Sequence, residues 1–135
     1  MSVMLDGPAR ALLDAPNHVH LSVPRRDGTI LVAVMWATTD DAGNIVVNSA
    51  EGRTWPRLLR NAGHATVSVH NPERPFEVVV AECDLQGDTH DGADAVIDAL
   101  AHKYMGVDKY PFAEPGEQRV TFTLRPVRVT YRSGG

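Results

Sequence analysis

Apolar and polar residues alternate along most of the chain, and three shorter stretches repeat with a helical period. Strict alternation predicts strands with one buried and one exposed face. The pattern predicts six strands, at 18–23, 29–38, 44–49, 64–70, 76–85 and 119–131, of which the one at 29–38 is a nearly continuous apolar run. The helical pattern predicts three helices, at 5–14, 54–62 and 91–106, with Thr54 as the N-cap of the second and Asp91 as the N-cap of the third.

The order of these elements favours an antiparallel sheet. No long regular helix joins two consecutive strands before residue 91, and parallel neighbours would need such a crossover. The last strand changes parity, because Leu124 and Val127 continue one face only if one residue is skipped. Arg125 and Pro126 therefore predict a bulge or bend of the kind that a barrel corner requires. A mostly antiparallel barrel with helices at its openings fits this pattern.

Length and composition limit the class of protein. The chain has 135 residues, of which 43% are hydrophobic and 22% charged, so we expect residues 1–135 to form a single domain. A lone cysteine, Cys83, excludes an internal disulfide. No apolar stretch approaches the roughly 18 residues of a membrane helix and no signal peptide opens the chain, so we expect a cytoplasmic protein without a membrane partner.

The charges are unevenly distributed along the chain. The net charge is −4, yet Arg53, Arg57 and Arg60 lie in a stretch without any acidic residue, while 82–98 contains acids and no base. An acidic protein of this kind is not expected to bind nucleic acid. A local arginine cluster is instead suited to a small anionic ligand.

Several familiar motifs are missing. The chain has neither a phosphate loop ending in Gly-Lys-Ser/Thr nor a Gly-x-Gly-x-x-Gly segment after a strand. His18 and His20 share a strand face, but no acidic or cysteine residue is spaced to complete a metal site. No acid–base constellation is evident, so no catalytic residue is assigned.

The strongest local signal is the segment 48–60, a strand end followed by a glycine turn and a helix start. The amides at a helix N-terminus attract anions, and Ser49, Arg53 and Arg57 are placed to add hydrogen bonds to a phosphate. The alternative is a solvated basic helix that pairs with the acidic helix at 91–98. The residues alone leave both interpretations open.

A second candidate is the apolar strand at 32–37. Met35 and Trp36 occupy adjacent positions, so their side chains point to opposite faces. For either side chain, packing in the core is the expected role. The alternative is that it forms part of a wall on which a flat ring ligand stacks.

These segments resemble a known family, the split β-barrel flavin and deazaflavin oxidoreductases related to pyridoxamine 5'-phosphate oxidase. The similarity is greatest to the branch that uses coenzyme F420. The residues that carry it are the Trp36 strand, the turn from Asn48 to Arg53, and the stretch Lys-Tyr-Met-Gly-Val-Asp-Lys-Tyr-Pro at 103–111. The fold implied is a mainly β (α+β) one, a six-stranded antiparallel split β-barrel with short flanking helices.

The resemblance also implies a function and a partner. The chain is expected to be a coenzyme F420-dependent oxidoreductase acting on a small conjugated substrate, as a homodimer with the cofactor in a groove between subunits. The alternatives are an FMN-binding enzyme of the same fold and a non-catalytic barrel that binds a cofactor. The residues implied at the cofactor are Val34, Met35 and Trp36 at the ring, Asn48, Ser49 and Arg53 at the phosphate, Arg57 and Arg60 at the anionic tail, and Tyr104 and Tyr110 from the partner subunit.

The chain departs from the family pattern at two positions. Relatives commonly place a lysine two residues after the turn arginine, where it contacts the phosphate, and this chain has Trp55 there. The usual asparagine later in the helix is Leu58. Trp55 is expected either to stack on a ring ligand or to pack against the barrel mouth.

Overall fold

A computed structural model describes residues 5–134 of the chain. Within these residues there are seven strands and three helices. Their bounds are α1 (Gly7–Asp14), β1 (Val19–Pro24), β2 (Ile30–Met35), β3 (Thr38–Thr39), β4 (Ile45–Ala50), α2 (Thr54–Ala62), β5 (His64–Asn71), β6 (Arg74–Thr89), α3 (Ala93–Met105) and β7 (Arg119–Arg132).

All seven strands belong to one antiparallel sheet, in the order β2-β1-β5-β6-β7-β4-β3. The two outer strands, β2 and β3, are consecutive in the chain and are separated only by Trp36 and Ala37. Because one short segment supplies both edges, the sheet curls into a barrel that this segment closes. The predicted mainly β, antiparallel barrel with short flanking helices is confirmed.

The strand count differs from the prediction, because the expected strand at 29–38 is split into β2 and β3. The break lies at Ala37, whose backbone N–H donates to the Tyr104 hydroxyl at 3.1 Å and whose carbonyl accepts from Lys103 Nζ at 2.6 Å. Both backbone groups are thus occupied by side chains of α3 instead of strand partners. The apolar pattern through this segment is continuous, so it carries no sign of the interruption.

Two other boundaries were predicted incorrectly. Arg53, not Thr54, is the N-cap of α2. Gly92, not Asp91, precedes α3, at φ +72°, because the N–H of Ala93 bonds to the carbonyl of His90 and delays the helix. The predicted irregularity in the last strand is confirmed, since the β6–β7 register passes over Val127.

The core lies inside the barrel and is covered at one opening by α1. Phe122 and Leu124 of β7 and Val47 of β4 are fully buried, and Leu13 of α1 packs with them in one cluster. Every residue of β4 is buried, so the end of this strand delivers polar side chains to a place shielded from solvent.

We expect Tyr104→Phe to destabilise the fold by about 1–3 kcal/mol, because a buried donor, the Ala37 N–H, and a partly buried acceptor, the Asn17 carbonyl, lose a partner. The Tyr104 hydroxyl accepts from Ala37 and donates to the carbonyl of Asn17 at 2.7 Å. The measurement is the free energy of unfolding in urea. Tyr110→Phe is the matched control, because the Tyr110 hydroxyl has no hydrogen bond within residues 5–134. Equal stabilities of the two variants would contradict the anchoring role of Tyr104.

Candidate functional site

A cleft of about 250 Å³ lies where β2 ends, β4 ends and α2 begins. Eight of the predicted site residues line it, namely Val34, Met35, Trp36, Asn48, Ser49, Arg53, Trp55 and Tyr110. The sequence reasoning missed five further lining residues: His18, Ile97, Leu100, Phe112 and Arg119. The cleft thus assembles residues from distant parts of the chain.

One wall of the cleft is aromatic. The Trp36 ring stacks on Tyr104, with ring centroids 5.3 Å apart and planes 12° from parallel. Tyr110 stands edge-on to Trp36 at 6.2 Å, and Phe112 stands edge-on to Tyr110 at 5.7 Å. Tyr104 therefore supports Trp36 from behind and does not line the cleft, whereas Tyr110 lines the cleft of its own chain. A wall of this kind suits a flat ring ligand.

Trp55 lies between the core and the cleft, so it packs against the barrel as expected, and its stacking on a ring ligand stays a prediction. Its ring packs on Phe122, with centroids 5.3 Å apart, and it is half-buried against the core. The same side chain also lines the cleft. Trp55 therefore closes the barrel mouth and presents part of its ring to any ligand beside it.

The polar end of the cleft is suited to an anion. Ser49 is 1% exposed, and its Oγ has no hydrogen-bond partner within residues 5–134. Four residues after Ser49, Arg53 is the N-cap of α2. No side chain of residues 5–134 caps this helix start by a hydrogen bond, and the first turn of the helix contains no acidic residue. The free backbone N–H groups there and the half-exposed Arg53 are all donors. A buried hydroxyl without a partner commonly indicates a missing ligand or water.

Asn48 and Arg119 form a buried polar network in the wall of the cleft. The Asn48 amide donates to the Ala93 carbonyl and to Thr121 Oγ1, both at 3.0 Å, and its Oδ1 accepts from Arg119 Nε at 3.0 Å. Arg119 also lies under the Tyr110 ring, 5.0 Å from its centroid. With these bonds made, Asn48 joins β4, β7 and α3 and orients Arg119. Only the tertiary structure reveals that this arginine is buried.

The three arginines that are clustered in the sequence lie in different places. Arg53 lines the cleft, Arg57 lines a second groove, and Arg60 forms ion pairs outside both. Arg60 Nη1 and Nη2 donate to the two oxygens of Glu51 at 2.7 and 3.0 Å, and Arg60 Nε donates to Asp88 at 3.1 Å. The structure therefore does not bring Arg60 to the cleft. Its acidic partners belong to the turn after β4 and to the end of β6, and not to the acidic helix α3.

Arg57 lies in a separate basic groove of about 530 Å³ between α2 and the β1–β2 hairpin. Arg25, Arg26 and His64 also line this groove, and Asp27 is the one acid among its lining residues. The cleft and the groove both lie along α2, the cleft at Trp55 and the groove at Arg57, Leu58, Asn61 and Ala62.

Neither a metal site nor a membrane-spanning helix is found in the described part of the chain. Residues 5–134 contain no group of three or more His, Cys, Asp or Glu side chains placed to hold a metal ion. Over the same residues, no helix combines the length and the apolar character needed to cross a membrane.

Comparison with known proteins identifies the fold. No protein-family model and no curated protein matches the chain. An F420 reductase of known structure is similar, at 23% identity and a TM-score of 0.79, over 93% of this chain and 98% of that one. A conserved hypothetical protein from Mycobacterium tuberculosis has 14% identity and a TM-score of 0.75, over 98% of this chain and 86% of that one.

A third similar structure, provisionally named a pyridoxamine 5'-phosphate oxidase, comes from Listeria innocua. It has 12% identity and a TM-score of 0.65, over 92% of this chain and 94% of that one. At such identities the likeness concerns the fold. The chain has the split-barrel fold that these structures share, and the fold implied by the resemblance is confirmed.

The Glu51 cluster generates a prediction about pH. Hydrogen bonds from Arg60 and then from His90, whose Nε2 lies 2.6 Å from Glu51 Oε2, lower the pKa of Glu51 from 4.5 to about 2. A carboxyl whose pKa is lower in the folded state stabilises the fold above its unfolded pKa, and this contribution is lost as the pH falls. We therefore expect a loss between pH 4.5 and pH 2.

The measurement is the free energy of unfolding at about pH 5 and about pH 2.5 for the wild type and Glu51→Gln. The wild type should lose more stability than the variant, by about 1 kcal/mol, because the cluster is partly open to solvent. The two proteins losing stability equally would mean that Glu51 is not the group that titrates.

Proposed function

We propose that this chain is an oxidoreductase that binds coenzyme F420 in the cleft and transfers a hydride between the cofactor and a small conjugated substrate. The observation that carries the proposal is the Ser49 hydroxyl, which has no hydrogen-bond partner within residues 5–134 and lies near Arg53 and a start of α2 that no side chain of those residues caps. The fold shared with an F420 reductase supports the same conclusion. A cytoplasmic location stays a prediction.

The residues of the cleft fit such a cofactor. Ser49 and Arg53 would hold the phosphate together with the amides at the start of α2. Val34, Met35 and Trp36 would lie along the ring, and Tyr104 would keep Trp36 in place by stacking behind it. When bound, the deazaflavin ring supplies the hydride chemistry. The protein then has to position the ring and the substrate and exclude water from the space between them.

The basic groove favours the deazaflavin over FMN. The negatively charged tail of coenzyme F420 would lie along Arg57, Arg25 and Arg26, whereas FMN has no group that extends so far from its phosphate. Arg60, which the sequence analysis also assigned to the tail, is already bound to Glu51 and Asp88. The alternatives remain an FMN-binding oxidoreductase of the same fold and a cofactor-binding protein without catalytic activity.

We also propose that the protein is a homodimer whose cofactor groove is completed by the second copy. Ile30, Val32 and Val34 of β2 form an apolar ridge, and their side chains are 59%, 54% and 59% exposed. Val34 belongs both to this ridge and to the cleft. A second copy that covers the ridge would therefore lie against the cleft.

Titration of the protein with coenzyme F420 and with FMN tests the proposed function. Binding is followed by tryptophan fluorescence, since both tryptophans of the chain, Trp36 and Trp55, line the cleft. We expect tighter binding of coenzyme F420, and we expect Arg53→Ala to weaken either ligand by about 1.5–3 kcal/mol through loss of a charge-assisted hydrogen bond.

Arg74→Ala is the matched control, because Arg74 lies at the start of β6 and does not line the cleft. Tighter binding of FMN would support the FMN alternative, and binding without turnover of quinone, enone or nitroaromatic acceptors would support the non-catalytic one. A folded wild type that binds neither ligand would refute the proposed function.

The dimer is tested by sedimentation of the wild type and Val32→Glu. A charge placed in a buried apolar interface should raise the dimer dissociation constant by about tenfold or more. The fold should be retained, because Val32 is 54% exposed within one chain. Ala99→Glu, at an exposed position of α3, adds the same charge elsewhere. A wild type that sediments as a monomer at high concentration would exclude the dimer.

A further inference from the structure

A carboxylate, that of Glu117, bridges the two arginine side chains that line the cleft. Glu117 Oε1 accepts from Arg53 Nη2 at 3.2 Å and from Arg119 Nη1 at 3.0 Å. The side chains of Glu117 and Arg119 are 8% and 5% exposed, whereas that of Arg53 is 49% exposed. The carboxylate and one arginine are therefore buried, and the other arginine faces solvent.

The two arginines depend on Glu117 to different degrees. Arg119 is also held by Asn48 Oδ1 and by the Tyr110 ring above it, so its position does not rest on the carboxylate alone. Within residues 5–134, Arg53 has no ion-pair partner other than Glu117. Arg53 is thus the guanidinium that an incoming anion can take over with the least loss of other contacts.

Glu117 is itself incompletely bonded. Its second oxygen, Oε2, is buried and has no hydrogen-bond partner within residues 5–134. A carboxylate that served only to fix the two arginines would be expected to use both oxygens, because burying an unpaired charged atom is costly. Its negative charge also offsets one of the two positive charges that the cleft presents to a ligand.

We infer that Glu117 competes with the anionic group of the ligand for Arg53, and so limits how tightly the cleft binds a phosphate. The inference rests on the proposed function, since it concerns the same site. In the free protein Arg53 is turned toward Glu117. A phosphate bound at Ser49 and the start of α2 draws Arg53 away, and the carboxylate repels that phosphate from close by. The residue determines affinity, and it takes no part in the hydride transfer.

The test compares the wild type with Glu117→Gln, which keeps the shape of the side chain and removes its charge. We expect FMN to bind about 3- to 10-fold more tightly to the variant, the range for loss of a partly exposed competing ion pair. Riboflavin, which lacks only the phosphate, should bind both proteins equally. Glu114→Gln is the control, because Glu114 is exposed in the same loop and forms no ion pair within residues 5–134.

The outcomes separate this inference from the proposed function. If the wild type binds neither FMN nor coenzyme F420, the proposed function fails, and the same variants are then compared with inorganic pyrophosphate as the probe. Tighter pyrophosphate binding by Glu117→Gln alone supports the role of Glu117. An unchanged or weaker affinity, an equal gain in Glu114→Gln or an equal gain for riboflavin overturns it.

A second variant guards against misfolding, because Glu117→Gln leaves the buried Arg119 with less compensating charge. Glu117→Asp keeps the charge but is one methylene shorter, so it cannot reach both arginines as Glu117 does. If circular dichroism shows Glu117→Gln to be unfolded, Glu117→Asp decides the question. Binding tighter than in the wild type supports the competition, and equal or weaker binding overturns it.

Discussion

The closure of the barrel at Trp36 and Ala37 is the constraint on which the rest of the structure depends. The segment from β2 to β3 supplies both edges of the sheet, and the backbone groups of Ala37 are bound by Tyr104 and Lys103 of α3. Burial lowers the pKa of Lys103 to about 8, which reflects how closely α3 is held against this point. The same break turns Trp36 out of the strand and toward the cleft, so the contact that closes the barrel also builds the aromatic wall.

The polar end of the cleft follows from the neighbouring strand. Every residue of β4 is buried, so Asn48 and Ser49 reach the cleft in a place shielded from water. Asn48 joins β4, β7 and α3 through its hydrogen bonds, whereas Ser49 Oγ has no partner among the residues that the structure describes. The Asn48 side chain therefore stabilises the fold, and the hydroxyl of its neighbour Ser49 is available to bind a ligand. Glu117 pairs with both Arg53 and Arg119, so neither guanidinium group is left unpaired. Since one carboxylate offsets only one of the two positive charges, this end of the cleft keeps a net positive charge.

Sequence patterns predicted most of the strands well, because strands such as β1 and β5 have one face in the core and alternation follows directly from that. They also predicted the irregularity near Pro126 and placed most of the cleft residues. The sequence patterns failed to predict features that are set by contacts between residues distant in the chain. The apolar run through Trp36 gives no sign that side chains of α3 bind the backbone of Ala37. Arg57 and Arg60 are three residues apart on one helix, yet Arg60 lies against Glu51 and Asp88 and Arg57 faces the hairpin at Arg25.

The amino-acid sequence by itself determined the class of fold, the turn between β4 and α2, and the concentration of arginine beside it, because these depend on residues close together in the chain. The tertiary structure decided which charged side chains are paired within the protein and which can still bind a ligand. Arg119 and Glu117 are ordinary charged residues in the sequence, and only the packing of β7 against β4 and the loop before it buries them beside Ser49. Burial and pairing of a charge are set by neighbours distant in sequence, so no local pattern can report them.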